Sequence, residues 1–144
     1  MKVKQVMSKS LVCCTPTDSS RHAAELMKQH QIGALPIVQS QEKKLLLGIV
    51  TDRDLSIKLI AEGLGVSIPV SEVMTSKPIA CSADDSLEAC ESLMQKHKVR
   101  RIPVIDEQGQ CVGMVAQADI VLHDDAKHIQ RTLNAISAPL SQAA

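Results

Sequence analysis

From Leu87 to His97 the apolar side chains Leu87, Cys90, Leu93 and Met94, followed by His97, recur at three- and four-residue spacing, which predicts a helix with one buried face. Asp85 with Glu88 three residues later resembles a capping box in which Asp85 is the cap. Before this segment, residues 11–15 and 79–82 are short extended runs. Residues 34–39 and 45–50 have strand character, and polar Ser40-Gln41-Glu42-Lys43-Lys44 between them predicts a hairpin. Asp106-Glu107-Gln108-Gly109 supplies a tighter turn of the same kind. Thr51 opens another helix, expected to face Leu55, Leu59 and Ile60 inward, and Gly63 and Gly65 end it. Residues 126–133 are helical in pattern, and Pro139 with the small residues after it predicts a fraying tail.

The pattern is written twice, about 67 residues apart. Val3-Lys4-Gln5-Val6-Met7-Ser8 is echoed by Val70-Ser71-Glu72-Val73-Met74-Thr75, Asp18-Ser19 by Asp85-Ser86, and Leu26-Met27 with His30 by Leu93-Met94 with His97. Ile32-Gly33-Ala34-Leu35-Pro36-Ile37-Val38 aligns with Val99-Arg100-Arg101-Ile102-Pro103-Val104-Ile105. After a turn shorter by two residues, Gly48-Ile49-Val50-Thr51-Asp52-Arg53-Asp54-Leu55 aligns with Gly113-Met114-Val115-Ala116-Gln117-Ala118-Asp119-Ile120. Each copy reads as strand, helix, strand, strand, helix. A copy of about 60 residues buries too little surface to stand alone, so the two are expected to pack sheet against sheet around one core and to enclose clefts related by pseudo-twofold symmetry.

Composition narrows the function. The 144 residues carry no net charge and contain no Phe, Tyr or Trp. Neither a basic field nor a stacking platform is present to attract nucleic acid. No apolar run reaches the roughly 20 residues of a membrane span, and Met1-Lys2-Val3-Lys4-Gln5 lacks the apolar stretch of a signal peptide; membrane insertion is not expected, and a cytoplasmic location is. The five cysteines, Cys13, Cys14, Cys81, Cys90 and Cys111, form no Cys-x-x-Cys pair and read as small buried hydrophobes.

Three constellations could carry chemistry. At Thr51-Asp52-Arg53-Asp54 a strand delivers the chain to a helix start, where backbone N–H groups favour phosphate and a carboxylate can accept from ribose hydroxyls. The same spacing also fits a simple helix cap, the favoured reading on spacing alone. Asp119 persists where the capping Thr has become Ala116, which shifts weight back toward a ligand. Arg100-Arg101, ahead of a core strand, suits either a phosphate in a wet cleft or plain solvent exposure. His123, Asp124 and His128 could touch a metal, but a solvated helix face explains them better, and no metal site is expected. No Gly-x-Ser-x-Gly elbow, Walker loop or His-Glu-x-x-His occurs, and catalysis is not expected.

These blocks, in order and doubled, resemble a tandem cystathionine-β-synthase (CBS) domain pair, or Bateman module, of the stand-alone bacterial type. The marks are the Val-Met-[Ser/Thr] openings at Val6 and Val73, the Leu-Met-x-x-His helix ends, the strands at Leu35 to Val38 and Ile102 to Ile105, and Gly48 to Leu55. The resemblance implies an α+β fold of two βαββα motifs with pseudo-twofold symmetry, dimerising into a flat disc. Expected boundaries are 1–62 for motif 1, 63–69 for the linker, 70–125 for motif 2 and 126–144 for a C-terminal helix and tail. It also implies an adenosine-containing ligand: AMP, ADP, ATP, NAD or S-adenosylmethionine. By motif match, Thr51 and Asp54 would hold phosphate or ribose in one cleft and Asp119 the ribose in the other. Arg101, beside Arg100, matches a phosphate-contacting position. Val12, Ile49, Ile79, Val99 and Met114 would sandwich adenine. Ala116 departs from the usual Ser/Thr, so the two clefts are expected to be unequal. Two functions follow: a nucleotide sensor signalling to an unknown effector protein, or a ligand-free dimeric scaffold that binds a protein partner.

Overall fold

The computed structural model of the chain describes residues 1–123 and 126–139. It is a mixed α+β structure with two three-stranded sheets, and it divides into two compact units that are not the two sequence repeats. One unit comprises Val12–Pro78 with Glu107–Cys111; the other comprises Met1–Leu11, Ile79–Asp106 and Val112–Ala144. We call these the first and second units. The opening segment of each repeat thus belongs to the unit built mainly from the other repeat. Buried apolar side chains accordingly form two clusters, one per unit, where a single core was expected. Val70 and Val73 complete the first cluster, and Val3 and Val6 complete the second.

The second unit starts with the short helix α1 (Val3–Val6). In the first unit the helix α2 (Ser20–His30) precedes β1 (Ala34–Val38) and β2 (Leu46–Thr51), which pair antiparallel. The hairpin forms as predicted, and Leu46 N–H and Cys111 N–H bond Gly109 and Lys44 carbonyls at 3.1 and 2.7 Å, adding the 107–111 turn to this unit. β2 leads into α3 (Asp52–Leu55), which continues as a π-helix over Ser56–Ala61. A 3-10 turn (Val70–Glu72) and β3 (Thr75–Ser76) close the unit, with β3 on the free side of β2. The predicted extended run at 11–15 is reduced to one parallel bridge, Cys14 to Ile37.

In the second unit β4 (Cys81–Ser82) pairs parallel with β5 (Arg101–Ile105), which neighbours β6 (Cys111–Ala116). The helices are α4 (Leu87–His97), α5 (Gln117–His123) and α6 (Ala126–Ser137). A bridge from Ser8 to Met114 stands where β3 stands in the first unit. Both crossings need glycine. A Cβ on Gly48 would lie 2.9 Å from the Thr75 carbonyl oxygen, and one on Gly113 would lie 2.7 Å from that of Ser8. Backbone that close leaves no room for a side chain.

Three further expectations change. The cap of α4 is Ser86, whose hydroxyl accepts from Ala89 N–H at 3.1 Å; Asp85 instead accepts from Ser82 N–H at 2.8 Å through Oδ2. His97 is exposed rather than part of the buried face, which is Leu87, Cys90, Glu91 and Met94. Ile60 is 80% exposed, although Leu55 is buried. The π-turn, closed by Glu62 N–H on the Ile57 carbonyl at 2.8 Å, rotates later residues off the face that 3.6-residue spacing assigns. The tail beyond residue 139 lies outside the described residues.

Candidate functional site

Alternation along β2 buries Gly48 and Val50 and leaves Ile49 and Thr51 half-buried on the opposite face. At the end of that face the chain turns into α3. Thr51 Oγ1 accepts from Asp54 N–H at 3.1 Å, and Asp54 Oδ2 accepts from Thr51 N–H at 2.9 Å. This reciprocal pair is a capping box with Asp in place of Glu. It fixes the carboxylate at the strand-to-helix junction, half-buried. Val12, also half-buried, packs against the core cluster of the same unit. Thr51, Asp54, Ile49 and Val12 therefore all belong to the first unit.

The second unit repeats the junction with half of the box. Asp119 Oδ2 accepts from Ala116 N–H at 2.7 Å, with no hydroxyl to answer it. Met114 and Ala116 share the half-buried face of β6. Gln117 N–H bonds the Arg100 carbonyl at 2.9 Å, as Asp52 N–H bonds that of Gly33 at 2.9 Å, so the start of α5 is tied to the start of β5. Arg101 is therefore at the same end of the sheet as Asp119. Arg101 is half-buried and Arg100 exposed, and neither makes an ion pair among the described residues. Ile79 and Val99 are half-buried in this unit.

Two further carboxylates do the same backbone work. Asp18 Oδ2 accepts from Thr15 N–H at 2.8 Å, matching Asp85 with Ser82 N–H. Each of the four repeat-related carboxylates thus clamps the N–H three residues before it. The carboxylate of Asp119, opposite Ala116, therefore keeps a backbone role even without a capping hydroxyl.

Sequence reasoning missed a polar cluster where α6 covers α4. The Thr132 hydroxyl donates to Glu91 Oε2 at 2.9 Å and accepts from the Gln95 amide at 2.9 Å, beside a cleft lined by Glu88, Glu91, Ser92, Gln95 and Arg131. Glu91 is buried, which a charged residue in a helical pattern does not announce. Of the histidine cluster, Asp124 and the side chain of His128 lie outside the described residues. Among the described residues no group of three or more His, Cys, Asp or Glu is arranged to hold a metal. No helix among them is long and apolar enough to cross a membrane.

Comparison with known proteins places this geometry. Hypoxic response protein 1 of Mycobacterium tuberculosis is 33% identical over 141 residues, covering 97% of this chain and 96% of the relative. A crystal structure of Hypoxic Response Protein I with two coordinated zinc ions superposes with a TM-score of 0.78 at 33% identity, over 87% of this chain and all of that one. CBSX2 in complex with AMP gives 0.73 at 28% identity, over 84% and 93%. The CBS domain pair of protein MJ0100, in complex with 5′-methylthioadenosine and S-adenosyl-L-methionine, gives 0.76 at 30% identity, over 85% and 94%. The CBS domain model matches twice, at residues 3–60 and 70–125, the two copies whose glycine crossings and carboxylate clamps are described above, and the chain belongs to the CBS-domain family as a tandem pair.

Proposed function

We propose that this CBS pair is a regulatory sensor of an adenosine-containing ligand, an adenine nucleotide such as AMP, ADP or ATP or a NAD-like dinucleotide, and signals through conformational change. The observation that carries the reading is the pair of half-buried carboxylates, Asp54 and Asp119, each oriented by one backbone N–H at a strand-to-helix junction. A carboxylate has acceptor capacity well beyond one such bond, enough to receive ribose hydroxyls. In the first unit Thr51, with Val12 and Ile49, would add a hydroxyl and aliphatic contacts for the base. In the second unit Arg101, with Arg100, would meet phosphate, and Ile79, Val99 and Met114 the base. The AMP bound by CBSX2 and the S-adenosylmethionine and methylthioadenosine bound by the MJ0100 pair support adenosine as the shared moiety. The chain would bind and report its ligand without transforming it, acting as a homodimer on an effector protein through differential affinity for the bound state.

Isothermal titration with AMP, ATP, NAD and S-adenosylmethionine tests this. Saturable heat is expected from at least one ligand, weakened about tenfold by Asp54→Asn or Arg101→Ala, a loss of about 1.4 kcal/mol. Asn keeps an oxygen for the Thr51 N–H, so the cap survives the test. No heat at millimolar concentration from any of the four ligands refutes the sensor. One observation favours a second reading, a ligand-free scaffold: all four clamping carboxylates already have a structural task. The scaffold predicts partner capture unchanged in Asp54→Asn and unaffected by nucleotide.

A further inference from the structure

In the second unit Cys81, at the start of β4, and Cys90, in the first turn of α4, bring their sulfurs to 3.5 Å. Both are buried, at 2% and 0% exposure. Their repeat equivalents in the first unit are Cys14 and Ala23, so only one unit holds a pair. Ala23 is itself fully buried, which shows that the fold asks only for a small apolar group at that place in the helix. The second sulfur is therefore not dictated by packing.

Geometry favours a bond between the two. A disulfide needs sulfurs about 2.05 Å apart. Cys81 lies in a two-residue strand that pairs with Val104 and Ile105, while Cys90 is fixed in a capped helix. A small shift of that short strand closes the gap. The hydrogen bond that Cys81 and Cys90 share holds Cys81 below the ordinary thiol range, although burial opposes it, and raises Cys90. Cys14 has no such partner, and burial, followed by the Asp18 charge, pushes it up to about 12. The thiolate is the reactive form, so the two units differ in chemistry at one equivalent position.

We propose that Cys81 and Cys90 are a redox modification site, a dithiol that a hydroperoxide converts to an intramolecular disulfide. The Cys81 thiolate attacks the terminal peroxide oxygen; the O–O bond breaks, leaving a sulfenic acid and, from hydrogen peroxide, water once the departing hydroxide is protonated. The Cys90 sulfur then attacks the Cys81 sulfur; the S–S bond forms, the S–O bond breaks, and the oxygen leaves as a second water with the Cys90 proton. Two electrons pass from the sulfurs to one peroxide. Peroxide reaches the pair through local opening of β4, a two-residue strand at the edge of its sheet. The product ties β4 to α4 covalently.

The full folded chain is exposed to hydrogen peroxide, its remaining thiols are alkylated in denaturant, and it is cut after Glu88, between the two cysteines. The Cys81 and Cys90 fragments are expected to remain joined until a reductant is added. This link should form about tenfold faster than any involving Cys13, Cys14 or Cys111. In Cys90→Ala, which copies the residue at Ala23, Cys81 should stop at a sulfenic acid trapped by dimedone. Complete alkylation of both thiols, after exposure that fully oxidises free glutathione, overturns the proposal. So does a link from Cys81 to any other cysteine.

Discussion

Leu35 and Ile102 occupy equivalent places in β1 and β5, both fully buried, yet the helices α2 and α4 in their units are finished differently. On α2 the buried positions are Ser20, Ala23 and Met27. On α4 they are the equivalent Leu87, Cys90 and Met94, with Glu91 in addition, because α6 packs on that helix and its Thr132 meets Glu91. The repeat fixes the sheets, the glycine crossings and the carboxylate clamps twice over. The differences include α6, the cysteine pair, the missing hydroxyl at Ala116 and the arginines at the start of β5. The comparison teaches that the shared residues answer to the fold, and the unshared ones are where function and regulation have room to differ.

The strongest way to break the comparison is to empty each core. Leu35→Ala and Ile102→Ala should each lower unfolding free energy by about 2–5 kcal/mol in urea denaturation, with unequal values if α6 makes the second cluster less able to collapse. Next come the crossings. Gly48→Ala and Gly113→Ala should each cost about 1–3 kcal/mol by overpacking against a carbonyl oxygen, whereas Gly65→Ala, which meets nothing within 4 Å, should be nearly silent in the same melts.

Thr132→Val probes a feature only one unit has. It removes the hydroxyl between Glu91 and Gln95 while keeping the shape, and should cost about 1–3 kcal/mol by thermal denaturation. The smallest change sharpens the comparison. Thr51→Ala should cost about 1 kcal/mol, and Ala116→Thr should return a similar or smaller amount by completing the second capping box. If Ala116→Thr destabilises instead, the two junctions are not structurally equivalent.

Much of this was legible in the chain. Helical spacing located α4 and α6, the repeat then implied α2, and the hairpin of β1 and β2 followed from two apolar runs around a polar turn. The candidate residues Thr51, Asp54, Asp119 and Arg101 were found by position in the repeat. The cap of α4 was misplaced by one residue because Asp85 and Ser86 are both good caps, and only the backbone path decides which one precedes the first helical residue. Ile60 was misassigned because a widened turn leaves no mark in apolar spacing. Glu91 was not anticipated because its burial depends on a helix 41 residues further on, through the Thr132 hydroxyl.

By itself the sequence determined that one unit is written twice, in what order its elements come, and which pairs of residues correspond. Local periodicity and turn chemistry suffice for that, since they act over a few residues. Only the tertiary structure decided which core each Val-Met opening completes. Val3 and Val70 head segments that share the same Val-x-x-Val-Met pattern, so that pattern does not separate their destinations; the choice rests on long-range packing and on the backbone contacts that Gly113 and Gly48 admit. Tertiary packing also left Cys81 and Cys90 within 3.5 Å of each other, whereas Asp54 and Asp119 are fixed locally, each by the N–H three residues before it.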